Sequence, residues 1–144
     1  MKKTDSLKLE NQLCFPLYAA SRLVTKCYQP ALTALGITYP QYLVLLVLWE
    51  QDVINVSVIS KKLELQSNTL TPLLKRMQDM ELINRTRSDK DERNVMISLT
   101  EKGKNLKTDA HLVQNTLIDN IGISEDEAQQ LHGLLNKLLQ SINI

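Results

Sequence analysis

The sequence predicts a mainly α-helical fold that contains one small β-hairpin. Leucine dominates the apolar positions, only 4% of the 144 residues are aromatic, and glycine and proline number four each. Apolar residues follow helical spacing along most of the chain, but after Glu81 the spacing changes once to strict alternation. A sandwich or a barrel would need more β-branched strands and more turn residues, so we expect helices to form the core.

Composition also predicts a soluble, cytoplasmic protein without a metal or a cofactor. No apolar run approaches the ~20 residues that span a bilayer, and the first residues lead into a polar stretch instead of a signal-peptide core. Two cysteines, Cys14 and Cys27, cannot form a zinc site alone. Nucleotide-binding, metalloprotease and hydrolase motifs are missing from the sequence. The two histidines, His111 and His132, lie in helical stretches without an obvious partner.

The charge is distributed unevenly, although the net charge is only +1. Residues 55–107 contain eleven Lys/Arg and seven Asp/Glu, a net charge of +4, whereas the remainder contains six and nine, a net charge of −3. A basic middle between acidic flanks is typical of a protein whose middle faces phosphates.

The first predicted helix covers residues 7–35, where apolar residues recur every three to four positions. Pro16 is expected to make the turn around Cys14 irregular, because a proline removes one hydrogen bond of the helix. Pro30 and Gly36 indicate bends or the end of this helix.

The second predicted helix covers residues 41–50 and is apolar on all sides, so we expect it to be central and buried. Thr38 or Tyr39 is its predicted cap, and Pro40 suits its first turn.

The next segment predicts a helix-turn-helix followed by a hairpin. A short helix over residues 56–63, with Ser57 as a candidate cap, and a second over 68–80 are joined by a tight turn. Pro72 is expected in the first turns of the second helix, where it does little harm. Alternation over residues 82–87 and 94–100 predicts two strands around a charged loop.

Two further helices are predicted at the C-terminal end of the chain. Thr100 begins one that extends to about Asn120, and Ser124 opens a capping box for the last. The apolar face from Ala128 to Leu139 needs a partner surface, which favours dimerisation.

The start of the second short helix carries short polar side chains, which suit reading base edges in a major groove, and cations further on suit phosphates. An ordinary capped surface helix would have a similar composition, but the charged hairpin that follows favours DNA binding, since an arginine on a wing can enter the minor groove. Asp89 and Asp91 do not weaken this prediction, because a carboxylate can orient a guanidinium. The candidate DNA-binding residues are Gln66, Ser67, Asn68, Thr69, Thr71, Lys75, Arg76, Arg85, Arg87, Lys90, Asp91 and Arg93.

Four segments, at residues 70–77, 82–88, 91–93 and 97–103, resemble the MarR family of bacterial transcription regulators. The resemblance covers nearly the whole chain, and its most specific mark is the wing motif Asp-x-Arg, which falls on Asp91 and Arg93. It implies one domain over residues 1–144, with a winged helix-turn-helix at 37–100 and dimerisation helices at 7–36 and 101–144. It also implies a homodimer on double-stranded DNA with a pseudo-palindromic operator.

Residues 9–18, 37–42 and 48–50 are similar to the MarR regulators of the OhrR type, which sense organic hydroperoxides. This similarity implies that Cys14 is the redox-sensing residue and that its oxidation releases the repressor from the operator. It further implies that Tyr28 and Tyr39 contact the thiolate across the dimer; Tyr18 lies one helical turn from Cys14. Organic hydroperoxides oxidise a thiolate to a sulfenic acid, which a small thiol can then convert reversibly to a disulfide.

Other interpretations of Cys14 stay open at this point. A lone cysteine is more often a small buried hydrophobe, and a MarR regulator can respond instead to a small aromatic ligand, here in a dimer pocket near Tyr39 and Trp49. A thiol peroxidase is disfavoured, because no His, Arg or Lys lies within one turn of Cys14. A protein-only interaction module would bind no DNA. The C-terminal half has no cysteine, so we expect one-cysteine behaviour with Cys27 structural, although an intersubunit link through Cys27 stays open.

Overall fold

The computed structural model describes residues 5–144, apart from the side chains of Glu92 and Arg93. Its described part is mainly helical with one small antiparallel sheet, as the sequence predicts. The elements are α1 (Cys14–Leu35), α2 (Tyr39–Glu50), β1 (Ile54–Asn55), α3 (Val56–Leu63), α4 (Ser67–Asp79), β2 (Ile83–Ser88), β3 (Asp91–Leu99), α5 (Glu101–Asp109), α6 (His111–Asn120) and α7 (Glu125–Ser141).

The first helix is shorter than predicted. Two separate 3₁₀ turns, Asp5–Leu7 and Leu9–Asn11, precede it, and the α-helix begins only at Cys14. Pro16 is therefore its third residue, where the backbone N–H would have no partner within the helix and a proline costs little. The irregular turn predicted around Cys14 is thus the point where the α-helix begins. At the other end Gly36 adopts φ 72°, which ends the helix in the left-handed conformation that glycine tolerates.

Helix α2 is the centre of the molecule, as its uniform apolar sequence predicts. Thr38 is its N-cap and forms a capping box with Gln41: the Gln41 backbone N–H donates to Thr38 Oγ1, and the Thr38 N–H donates to Gln41 Oε1. The side chains of Val44 and Leu45 are fully buried. Trp49 Nε1 donates to the Gly103 carbonyl oxygen at 2.9 Å, which joins α2 to α5.

The helix-turn-helix consists of α3 and α4, but two local details differ from expectation. Asn55 caps α3 by accepting from the Ser57 N–H, so the predicted cap Ser57 is wrong. Pro72 lies in the second turn of α4, within the predicted first turns, but as the sixth residue it leaves the Asn68 carbonyl without the usual helical donor, so it is not harmless there as predicted. Helix α4 begins at Ser67 and is amphipathic; its buried residues are Leu70, Leu73, Leu74 and Met77.

The sheet has the strand order β1-β3-β2, with antiparallel pairing throughout. Sequence reasoning missed β1, because a strand of two residues has no periodicity to detect. The hairpin is tighter than predicted: Ser88 already pairs with Asp91, after a register shift between Arg87 and Ser88, so only Asp89 and Lys90 form the turn.

Two helices, α5 and α6, replace the single helix predicted over residues 101–120, so that prediction is wrong. The break falls at Ala110, whose N–H bonds to the Lys107 carbonyl instead of continuing the α-helical pattern. Ala110 and Val113 are buried in the core at this break, where tertiary packing acts on the chain. The capping box of Ser124 with Glu127 begins α7 as predicted.

No single helix among residues 5–144 has both the length and the apolar composition to cross a bilayer. Helices α1 and α2 meet the length and composition requirements only together, as a pair that is bent by 73°.

Candidate nucleic-acid interface and thiol site

The outward face of α4 carries part of the predicted DNA-binding set. With ~100° between successive residues, Asn68 and Lys75 lie opposite the buried leucines and are exposed, while Thr71 is half-buried at the edge of the same face. Gln66 and Ser67 are exposed at the start of the helix, and Gln66 makes no side-chain cap. Polar groups at the helix start and a cation two turns later can contact base edges and a phosphate, respectively.

Two other predicted residues of α4, Thr69 and Arg76, face sideways. They line a cleft of about 380 Å³ together with Thr38 and Pro40 at the start of α2. Both are exposed. Because they face sideways, they can contact DNA only at the edge of the α4 surface.

The wing carries its basic residues on two different surfaces. Arg85 and Arg87 lie opposite Ile97 and Val95, on the sheet face that also carries buried Ile83. Arg85 is half-buried, and its Nε has no hydrogen-bond partner among the described residues, whereas Arg87 is exposed. Arg85 therefore covers the core edge with its stem while Arg87 extends beyond it.

At the tip of the wing, Lys90 and Asp91 are exposed, and the Lys90 N–H donates to Ser88 Oγ at 3.3 Å. The backbone of Arg93 belongs to β3, but its side chain lies outside the described residues. The predicted contact of Arg93 with a minor groove therefore stays a prediction.

Cys14 is the first residue of α1, is exposed, and is a free thiol. Helical spacing puts Tyr18 and Arg22 on the same face, one and two turns further on. Tyr18 is exposed, and the guanidinium carbon of Arg22 lies 4.5 Å from the centroid of the Tyr18 ring. This cation–π contact, which sequence reasoning missed, holds a positive charge on the face that carries the thiol. The i, i+4, i+8 spacing was the signal for it.

The other two predicted thiolate partners lie in an aromatic cluster, defined by Tyr28, Tyr39, Tyr42 and Trp49. The rings of Tyr28 and Tyr39 stack with centroids 5.4 Å apart. Burial raises the pKa of Tyr39; burial, and next the neighbouring Tyr39, raise that of Tyr28. Both phenols therefore stay protonated at neutral pH and can donate a hydrogen bond.

One chain does not bring Cys14 to this cluster. Fourteen residues of continuous helix separate Cys14 from Tyr28, which is ~21 Å at ~1.5 Å per residue. The same spacing keeps Cys14 and half-buried Cys27 ~20 Å apart, far beyond disulfide distance. Contact between the thiol and the two tyrosines would need a second copy of the chain.

An apolar groove of about 700 Å³ runs between α1 and α7. Leu17 and Val24 line one side and Leu131 and Leu135 the other, and Tyr39 also lines the groove. Neighbouring Leu134 is 66% exposed. A continuous apolar surface of this kind is typical of a subunit interface.

A smaller cleft of about 280 Å³ lies between α2 and α5–α6. Tyr42 and Trp49 form its aromatic side, and the other side carries Lys107 and His111, with Glu50 also in the lining. The proposed pocket for an aromatic ligand near Tyr39 and Trp49 is thus divided, since Tyr39 lines the larger groove instead.

A helix-turn-helix followed by a two-stranded basic wing defines a winged-helix DNA-binding protein. Comparison with known sequences agrees: residues 26–110 match the family described as transcriptional regulator SarA/Rot. The chain is 50% identical to the organic hydroperoxide resistance transcriptional regulator of Bacillus subtilis over 141 residues, 98% of this chain and 96% of that protein. The chain belongs to the MarR-type transcriptional regulators, in the group that includes this OhrR-type relative.

Solved structures of AbfR from Staphylococcus epidermidis have the same fold. Reduced AbfR bound to DNA is 36% identical, covers 98% of this chain and 96% of its own, and superposes with a TM-score of 0.81. Its disulfide form, also 36% identical with 95% and 96% covered, gives a TM-score of 0.65. The fold described here therefore resembles the reduced, DNA-bound relative more than the disulfide form.

Proposed function

We propose that the protein is a homodimeric repressor that leaves its operator when an organic hydroperoxide oxidises Cys14. The observation that carries the proposal is the exposed thiol at the start of α1, on one face with Tyr18 and Arg22, in a chain 50% identical to an organic hydroperoxide resistance regulator. The likeness to reduced AbfR on DNA supports a DNA-binding state in the absence of oxidant. A regulator of bacterial DNA acts in the cytoplasm.

The chemistry is a two-electron oxidation of sulfur. The Cys14 thiolate attacks one peroxide oxygen, the O–O bond breaks, and the protonated alkoxide leaves as an alcohol, so that the thiol becomes a sulfenic acid. A small thiol then condenses with the sulfenic acid to a mixed disulfide and releases water. The thiol is consumed once per event, which suits a sensor better than an enzyme.

We further propose that the chain is one domain whose terminal helices form the dimer. Residues 7–36 and 101–144 would dimerise through the groove between α1 and α7, and residues 37–100 would bind DNA. In such a dimer Tyr28 and Tyr39 of one protomer would donate to the thiolate of the other. Contact within one chain is excluded, because ~21 Å separates Cys14 from Tyr28.

Operator binding before and after organic hydroperoxide tests the proposal. Wild type should lose its affinity after treatment, whereas Cys14→Ser should stay bound, because a hydroxyl does not form a sulfenic acid. Fluorescence anisotropy with a labelled operator measures both. Cys27→Ser is the matched control and should be released like wild type; release of the Cys14→Ser variant would contradict the proposal.

Lys75→Ala should reduce the salt dependence of operator binding. If each protomer loses one phosphate contact, the slope of log K against log salt should fall by about 0.9 per contact, or roughly 2 for the dimer. Titrations between low and moderate salt measure the slope. An unchanged slope would remove Lys75 from the phosphate-contacting set.

The cleft beside Trp49 supports a second candidate function, release by an anionic aromatic compound. Lys107 could bind a carboxylate there while half-buried Trp49 packs against a ring. Thermal-shift screening with aromatic acids separates this function from peroxide sensing, since Cys14→Ser would keep it.

A further inference from the structure

Gln41 is the buried polar side chain of the described core, with 5% of its surface exposed. A buried amide must find partners for its donor and acceptor, because an unpaired polar group away from water is costly. The contacts of Gln41 therefore show which parts of the molecule it holds together.

One end of the Gln41 amide closes the start of α2. Oε1 accepts from the Thr38 N–H at 3.0 Å. Tyr39, the first residue of α2, directly follows Thr38. Tyr39 stacks on Tyr28 in the aromatic cluster. The orientation of the Tyr39 backbone is thus fixed by the Thr38–Gln41 capping box.

The other end of the Gln41 amide contacts Met80 at the end of α4. Nε2 donates to Met80 Sδ at 3.4 Å, 39 positions along the chain, and Met80 is the C-cap of α4. The Met80 N–H bonds to the Arg76 carbonyl, and the Met80 carbonyl accepts from Lys102 Nζ at 3.0 Å. Met80 is therefore tied to the last turn of α4 and to α5 at once.

We infer that Gln41 is a positioning residue that couples the aromatic cluster to α4. Apolar contacts between buried side chains of the core are not directional. The amide is directional at both ends, so a displacement of Tyr39 alters the capping box and moves the end of α4. The inference rests on the proposed function only in naming Cys14 oxidation as the event that displaces Tyr39.

Met80→Leu tests this coupling most cleanly. Leucine keeps the volume of the side chain and leaves the capping box intact, but it removes the sulfur that accepts from Gln41. Met96→Leu is the matched control, since it removes a half-buried thioether of β3 that Gln41 does not contact. Gln41→Met is the second variant, which removes both ends of the link while keeping a side chain of similar length.

The first measurement is the ratio of operator affinities of untreated and peroxide-treated protein, with intact mass showing equal oxidation at Cys14. Met80→Leu and Gln41→Met should lower this ratio at least about tenfold, while untreated Met80→Leu binds within about threefold of wild type. Met96→Leu should keep the wild-type ratio. A wild-type ratio in Met80→Leu would overturn the inference.

The second measurement needs no peroxide, because coupling between two sites is reciprocal. Operator binding should slow amide hydrogen exchange at Tyr39, Gln41 and Tyr42 in wild type and in Met96→Leu, but not in Met80→Leu. Equal protection in Met80→Leu would overturn the inference. If wild type ignores peroxide but shows this protection, the proposed function fails and the coupling stands.

Discussion

Gly103→Ala should destabilise the protein severely. A Cβ built on Gly103 overlaps the carbonyl oxygen of Leu82 and lies 3.1 Å from Leu99 Cδ2. The carbonyl is backbone at the start of the wing and already accepts from the Thr100 N–H at 3.1 Å, so it cannot move away cheaply. Relief would require α5 to shift from the sheet, which also strains the 2.9 Å hydrogen bond from Trp49 to the Gly103 carbonyl.

Overpacking typically costs about 1–3 kcal/mol of unfolding free energy, and a clash with a backbone carbonyl puts Gly103→Ala at the upper end of that range. For a chain of this length the melting temperature should fall by roughly 6–12 °C. Circular dichroism melts at equal protomer concentration measure the shift, because dimerisation would make the midpoint depend on concentration.

Gly133→Ala is the control for this prediction. Gly133 lies in α7, and a Cβ there meets nothing within 4 Å. Alanine should therefore stabilise the helix by about 0.5–1 kcal/mol. A Gly103→Ala variant that melts like wild type would show that α5 does not press against Leu82 as described.

Local chemistry explains which elements could be predicted from the sequence. Thr38 and Ser124 are followed three positions later by Gln41 and Glu127, and both capping boxes formed. Such contacts lie within one helical turn, so the pattern of residue types is sufficient. The Thr38-x-x-Gln pattern indicates the contact between Gln41 and Thr38. The contact between Gln41 and Met80 depends on the fold and has no pattern in the sequence.

Tertiary packing explains what could not be predicted. The break at Ala110 lies where Ala110 and Val113 are buried in the core, and a helical pattern continues across it in the sequence. The strand β1 exists only because Ile54 pairs with Ile97. At the candidate site, residue types identified the exposed face of α4, but only the fold separates outward-facing Asn68 from sideways-facing Arg76.

Arg93→Ala should weaken operator binding severely while the protein stays folded. The wing follows α4 directly, and its turn contains only Asp89 and Lys90, so β3 begins close to the tip. Despite the register shift between Arg87 and Ser88, a hairpin this short keeps the start of β3 near its tip, so a side chain of β3 can reach a groove beside the one that α4 is expected to read. The narrow minor groove has the strongest negative potential, so a guanidinium there gains more than one at the surface of the duplex.

The loss of affinity should be large because each protomer of the dimer loses one arginine contact with the operator. Removing one specific arginine contact costs about 1–3 kcal/mol, and a symmetric dimer loses two. The two losses total about 2–6 kcal/mol, so at ~1.4 kcal/mol per tenfold the affinity should fall at least roughly thirtyfold. Anisotropy titrations at fixed salt measure it, with circular dichroism melts to check folding.

Lys137→Ala is the matched control for charge. Lys137 is exposed on α7, remote in sequence from the wing, and its removal changes the net charge by the same amount. Its affinity should stay within about twofold of wild type, since charges beyond a Debye length of ~10 Å from the DNA are largely screened. If both variants lose affinity equally, the effect is overall charge and not a contact by the wing. If Arg93→Ala binds like wild type, the arginine does not enter the groove.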